Sequence, residues 1–424
     1  MPSSPTSSRE LRHARAAVSA VFFVNAVLYA NLVPRLPEIK VGLGLSNAQL
    51  GTAIAAMPVG ALLAGLLAPA LIQRLGSGRV AAFGLIGSAV TVALLPLAPA
   101  WAALAALMLV AGALDSVIDV AQNAHGFRVQ RLYRRSIVNA FHGLWSVGAV
   151  VGGLLGSAAA GLSVPLPAHL TASGVLFSVV AVVAYRFMLR GPEDAERAAD
   201  DVVHDVASTP ARRRLAGRAM LPLAALGVLA ACGAFVEDAG SSWGALYMLD
   251  EVGTDAATAG LAFVALSVAM TVGRLTGDRV VDRFGQRRVA LVGGAGIAVG
   301  MGLALALPSV VTTVVGFALA GLGVATLIPA VMHTADELPG LPAGVGLTAV
   351  SWLLRVGFLI SPTVVGVVAD ATSLRVALLG VVLAGVGVLA FGRVLAGAAP
   401  TAGSDDDAPQ RPPSGPAVAP FSAG

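Results

Sequence analysis

Residues 273–288 read GRLTGDRVVDRFGQRR. Five arginines and two aspartates crowd into this run, in a chain of which only 12% is charged. Apolar blocks at 256–278 and 288–307 flank it, each near the roughly 20 residues that a helix needs to cross a bilayer. A weaker copy, QRLGSGRV at 73–80, stands between apolar blocks at 47–72 and 79–98. DRFGQRRV at 282–289 matches it at an offset of 209 residues. A charged hinge repeated between membrane-length blocks marks an internally duplicated membrane protein.

The rest of the chain follows the same plan. Of its 424 residues, 57% are hydrophobic, and the mean hydropathy is +0.84. Further apolar spans fall at 14–36, 101–128, 136–160, 167–189, 219–247, 309–334, 342–368 and 374–394, making twelve in all. The fold class expected is an all-α polytopic membrane protein, with twelve transmembrane helices in two pseudo-symmetric six-helix halves. The halves cover 14–189 and 219–395. A short segment (1–13) precedes them, a polar linker (190–218) joins them, and a Pro/Ala/Ser/Asp-rich tail (396–424) reads as disordered. Ser46 and Gln49 form a capping box at the start of the second span.

Arginine placement sets the orientation. Basic residues total 27, and Lys40 is the sole lysine. Arg9, Arg12 and Arg15 precede the first span. Arg74 and Arg79, Arg128 to Arg135, Arg186 to Arg218, and Arg274 to Arg288 mark alternate junctions. The intervening junctions carry only Arg35, Lys40 and Arg375. Both termini are therefore expected in the cytoplasm of a bacterium, with the protein in its inner membrane. The loop 335–341 dissents, with Asp336 and Glu337 and no basic residue. The high pI reflects topology rather than nucleic-acid binding.

Twelve spans, a central linker and the 273–288 run resemble the Major Facilitator Superfamily. Asp282, Arg283, Gly285, Arg287 and Arg288 match its loop signature. In the first copy Gln73 replaces the acid, while Arg74, Gly76 and Arg79 remain. DVAQNAHG (119–126), FHGLWSVG (141–148), SSWGALYMLDEVG (241–253) and VADATSLR (368–375) are similar to a YbjJ-like bacterial branch, distantly akin to fucose-type sugar permeases. The resemblance implies fold and transport, and no particular cargo. The antiporter signature's proline is missing from Gly148-Ala-Val-Val-Gly-Gly153, so antiport gains no support there.

The chemistry sits where charge is expensive. ALDSVIDVAQN (113–123) puts Asp115, Asp119 and Asn123 on one helix face. A charged aspartate at mid-bilayer costs at least ~2.5–3.5 kcal/mol. Such groups fit a proton-coupling carboxylate set that changes protonation between access states, or a helix-packing hydrogen bond. Arg355 lies at the centre of its span and needs an acid or an anionic substrate, since guanidinium stays charged. Asp115 or Asp119 across the half-interface is the expected partner, as a switchable or a permanent ion pair. His142 lies at a depth similar to Asp119, as a titrating or a packing residue. Asn25 and Tyr29 suit a polar substrate or interhelical hydrogen bonding. Trp145 and Trp352 occupy matching places in the two halves, for stacking on substrate or for packing.

Glu237 and Asp238 precede a Gly-Ser break, the expected hinge of an outer gate or a wet acid pair. Asp278 and Asp282, beside Arg274, Arg279 and Arg283, suit a gating charge network or a topology signal. No phosphate loop, metal-ligand spacing or nucleophile–base set is visible, so no cofactor, metal or enzyme activity is expected. One cysteine, Cys232, excludes internal disulfides. The reading is a monomeric secondary transporter of a small, sugar-like polar solute, driven by protons or by the solute's own gradient. Efflux of drugs or metabolites is the alternative. A sensor would need a soluble signalling domain, which the chain lacks.

Overall fold

The computed structural model describes residues 8–133, 137–191, 211–338 and 345–395. Most of the expected linker, residues 339–341 of the dissenting loop and the expected tail lie outside these residues. Among the described residues, twelve helical spans are long and apolar enough to cross a membrane. They are α1 (Arg9–Gly42), α2 (Asn47–Gly65), α3 (Ser77–Leu97), α4 (Trp101–Tyr133), α5 (Ala140–Gly161), α6 (Leu166–Phe187), α7 (Met220–Asp250), α8 (Ala256–Phe284), α9 (Gln286–Ala306), α10 (Val310–Asp336), α11 (Val345–Ala371) and α12 (Leu374–Val394). The first span runs further than 14–36, through a 3-10 turn at Val33–Arg35 into a short helix ending at Gly42. Proline at the start of each piece presets that turn.

Neighbour relations repeat between the halves. α1 packs on α5 as α7 packs on α11, α2 on α4 as α8 on α10, and α3 on α6 as α9 on α12. Across the halves, α2 meets α11 and α8 meets α5, again a symmetric pair. Both hinge motifs share one backbone conformation. Gly76 has φ 87° and ψ 142°, and Gly285 has φ 80° and ψ 147°. Only glycine reaches that region without strain. The duplication seen in sequence is thus a duplication of backbone geometry.

Packing between spans rests on close backbone approach. A Cβ on Gly60 would fall 1.9 Å from Leu109 O, and one on Gly112 would fall 1.9 Å from Met57 O. Those two glycines seat α2 against α4. Gly148, Gly152 and Gly156 recur every four residues on α5 and press against the α1 backbone, a small-residue face of the kind that membrane helices use. Outward-facing Leu66, Phe83, Val175, Val292 and Leu383 stay exposed. So broad an apolar surface calls for lipid.

Two buried polar clusters staple the first half. Arg35 is fully buried between Glu38, Val164 O (2.7 Å) and His169 Nδ1 (3.1 Å), tying the end of α1 to the start of α6. His125, also fully buried, accepts from Leu189 N–H through Nε2 (3.1 Å). Its Nδ1 therefore carries the proton and donates to Ser77 Oγ (2.8 Å). The motif DVAQNAHG thus divides its labour, with His125 and Gly126 serving the fold.

Candidate functional site

A cavity of about 430 Å³ lies between the halves. The first half contributes Asn25 and Tyr29 from α1, Met57 and Pro58 from α2, Asp115, Ser116 and Asp119 from α4, and Trp145 and Ser146 from α5. Glu237, Asp238, Ser241 and Ser242 of α7, Phe263 to Arg274 of α8, and Arg355 and Phe358 of α11 form the facing wall. Acids therefore approach from both halves. Asn25 lies against the Asp115 carboxyl, and Tyr29 stands within electrostatic reach of both Asp115 and Asp238. That trio spans the half-interface.

On α4, Asp119 is the centre of a small network. Its Oδ1 accepts from Asn123 Nδ2 (3.1 Å) and from Gln122 Nε2 (3.2 Å). The Asn123 carbonyl oxygen in turn meets His142 Nε2 at 3.2 Å. An amide oxygen only accepts, so His142 donates there. Asp119, Asn123 and His142 form a chain from α4 to α5, and only Asp119 reaches the cavity. Asp119 is exposed rather than buried, because it faces the open space between the halves.

On the opposite wall, Arg274 Nη2 stands 3.6 Å from Glu237 Oε1. Ser242 donates to Asp238 Oδ1 at 3.2 Å. Asp238 Oδ2 is buried without a hydrogen-bond partner, as is Ser361 Oγ, which approaches it from α11.

Several sequence expectations need correcting. No carboxylate among the described residues lies within ion-pair distance of Arg355, because the cavity separates it from α4. Of the two acids on its own side of the cavity, Glu237 pairs with Arg274 and Asp238 accepts from Ser242. Trp145 lines the cavity, but Trp352 is 55% exposed and does not. α7 is helical without interruption to Asp250, so the Gly-Ser stretch makes no break. Its Trp243 is fully buried instead, beside Gly51 of α2. Asp278, Asp282 and Arg283 are exposed, and among the described residues no ion pair joins them to the other half. Arg283 rests over the ring of Phe284, 5.5 Å from its centroid.

Arg274 and the hydroxyl wall were not legible as site residues. Arg274 sits about two turns before Asp282, inside the charged 273–288 run, and reads as part of it. Thr271 donates to Ser267 O (2.7 Å) and Ser146 to His142 O (3.2 Å). Such back-bonded hydroxyls look like packing residues in sequence.

Among the described residues, twelve membrane-length helices in two symmetric halves enclose a cavity that polar and apolar side chains line together, the architecture of a membrane transporter. The chain belongs to the Major Facilitator Superfamily, whose family model matches residues 18–239 and 223–422. It is 29% identical over 356 residues to an uncharacterised MFS-type transporter of Yersinia pestis, covering 84% of this chain and 89% of that one. Among solved structures, the nucleoside transporter NupG superposes with a TM-score of 0.71 at 14% identity, over 90% of this chain and 98% of that one. A bacterial homologue of the human lysosomal transporter Spinster, inward-facing and unoccupied, gives 0.70 at 16% identity, over 92% and 98%. The transporter FucP, in an outward conformation, gives 0.56 at 16% identity, over 91% and 99%. These relatives are transporters, not enzymes.

Proposed function

We propose that this transporter moves a small polar, sugar-like solute across the bacterial cytoplasmic membrane, coupled to protons, by alternating access. The observation that carries the reading is the cavity itself. Its volume lies in the small-molecule range, and Asp115 and Asp238 line it from opposite halves, together with Tyr29. A group that must bind in both access states belongs at such an interface. Asp115 with Asn25, and Asp119 with its Asn123–His142 chain, supply the proton-exchanging carboxyls. Arg355, which pairs with no acid among the described residues, is left for the solute.

The arginine-rich face is read as cytoplasmic, with both termini there and the protein acting as a monomer. The tightest inter-half packing gathers on the arginine-poor face, which supports an inward-facing state. The Spinster homologue described as inward-facing also superposes better than outward FucP. FucP is described as a fucose:proton symporter, and NupG as a nucleoside transporter. Both descriptions favour a polyhydroxylated solute.

The test is uptake into proteoliposomes with an imposed pH gradient, using labelled sugars, cyclitols and nucleosides. Gradient-driven accumulation of one class is expected, and Asp115→Asn and Asp119→Asn should abolish it while the protein still inserts. Full coupled transport by both variants would overturn the proton assignment. Met57, Phe263, Met270 and Phe358 on the cavity wall favour a second reading, efflux of an amphipathic compound. Drug resistance on expression, with no sugar accumulation, would select it.

A further inference from the structure

The motif VADATSLR ends α11 with an acid that the cavity does not use. Asp370 Oδ1 accepts from Asn47 N–H at 2.9 Å, and Asp370 Oδ2 accepts from Ala48 N–H at 2.8 Å. Those donors open α2, in the other half, 323 and 322 residues away in sequence. The first turn of a helix leaves four N–H groups without internal partners. Here Ser46 N–H goes to Gln49 Oε1 (3.0 Å) and Gln49 N–H to Ser46 Oγ (3.2 Å). The remaining two, on Asn47 and Ala48, are completed only by the carboxylate from α11. Half of the α2 cap is therefore supplied from across the half-interface.

The surrounding contacts fit a closed face. A Cβ on Gly51 would meet Pro362 O at 2.1 Å, and one on Gly366 would meet Asn47 O at 2.4 Å. Lys40 and Asp250 pair between the halves at 3.8 Å. The symmetry-related contact, α5 against α8, closes differently. There α8 is capped from within by Asp255, which accepts from Thr258 N–H at 2.9 Å. A Cβ on Gly161 of α5 would meet the Ala257 side chain at 2.6 Å. Among the described residues, only one of the two symmetric contacts carries an acid across the interface.

We propose that Asp370 is a latch that holds the arginine-poor face closed by capping α2 from the opposite half. Separation of the halves frees two backbone donors and one carboxylate together, and water must replace all three. The charge at the helix N-terminus adds to the hydrogen bonds. Asp370 is a positioning residue: it acts through α2 and never touches the solute. The proposal rests on the alternating-access reading, but its test needs no substrate, so the two can fail separately.

The experiment is spin-label distance measurement in detergent and in liposomes. Labels go on Val41→Cys and Val376→Cys, both exposed on the arginine-poor face of opposite halves, in a Cys232→Ser background. With Asp370 intact, one short distance should dominate. Asp370→Asn should at least double the long-distance fraction, and Asp370→Glu should restore most of the short one. Asn47→Pro is a second variant that leaves Asp370 in place. It deletes the donor to Oδ1 at a position where proline suits a helix start, and it should lengthen the distance likewise. Unchanged distributions in both Asp370→Asn and Asn47→Pro would overturn the proposal. So would an equal long-distance gain in Asp370→Glu.

Discussion

Arg274 on α8 and Glu237 on α7 stand 3.6 Å apart at the edge of the cavity, Glu237 the more buried of the two. Removing one partner strands the other near low-dielectric surroundings. Glu237→Gln and Arg274→Gln are each expected to cut uptake about tenfold or more with normal membrane insertion. The double variant should lose less than the combined effect, with a coupling of about 0.5–3 kcal/mol. A strictly additive cycle would show that the pair does not act as a unit.

The Asp119–Asn123–His142 chain predicts a pH effect. Asn123→Ala cuts His142 off from Asp119 while leaving both side chains present. Uptake measured between pH 5 and 8 should change its profile, and His142→Gln should produce the same altered profile. An unchanged shape in both variants would remove the chain from coupling.

The two tryptophans should part company. Trp145→Ala removes a ring from the cavity wall, and aromatic contacts are worth about 0.5–1.5 kcal/mol. Its KM should rise between about twofold and tenfold. Trp352→Ala, on an exposed side chain, should leave KM unchanged. Equal effects would mean that the solute path includes both.

Helix seating offers a stability test. Gly112→Ala drives a Cβ against the α2 backbone at Met57, and overpacking of this kind costs about 1–3 kcal/mol. Gly302→Ala, with open space at its Cβ, should be neutral or slightly stabilising, since alanine suits a helix better by about 1 kcal/mol. Thermal unfolding in detergent should lower Tm for the first only.

The spans, the repeat and the Ser46–Gln49 cap were legible because hydropathy and hinge chemistry are local properties. Asn25, Tyr29, Asp115 and Trp145 were legible as cavity residues because polar or aromatic groups at mid-span are costly or conspicuous. The pairings were not legible. Depth in the membrane matches Arg355 with α4, and depth says nothing about the space between two halves. Arg274 was hidden by its neighbours in the loop signature. Asp370 lay at the end of a span, where an acid costs little. Its role needed the start of α2 to be seen beside it.

Lys40, paired with Asp250 across the halves at the closed face, has a practical consequence. It is the sole lysine in the chain. Apart from the terminal amine, an acylating reagent therefore finds one aliphatic amine, placed where the halves separate. The natural chain carries its own chemical tag for the state of that face, and mass spectrometry of the labelled peptide can read it without any substitution.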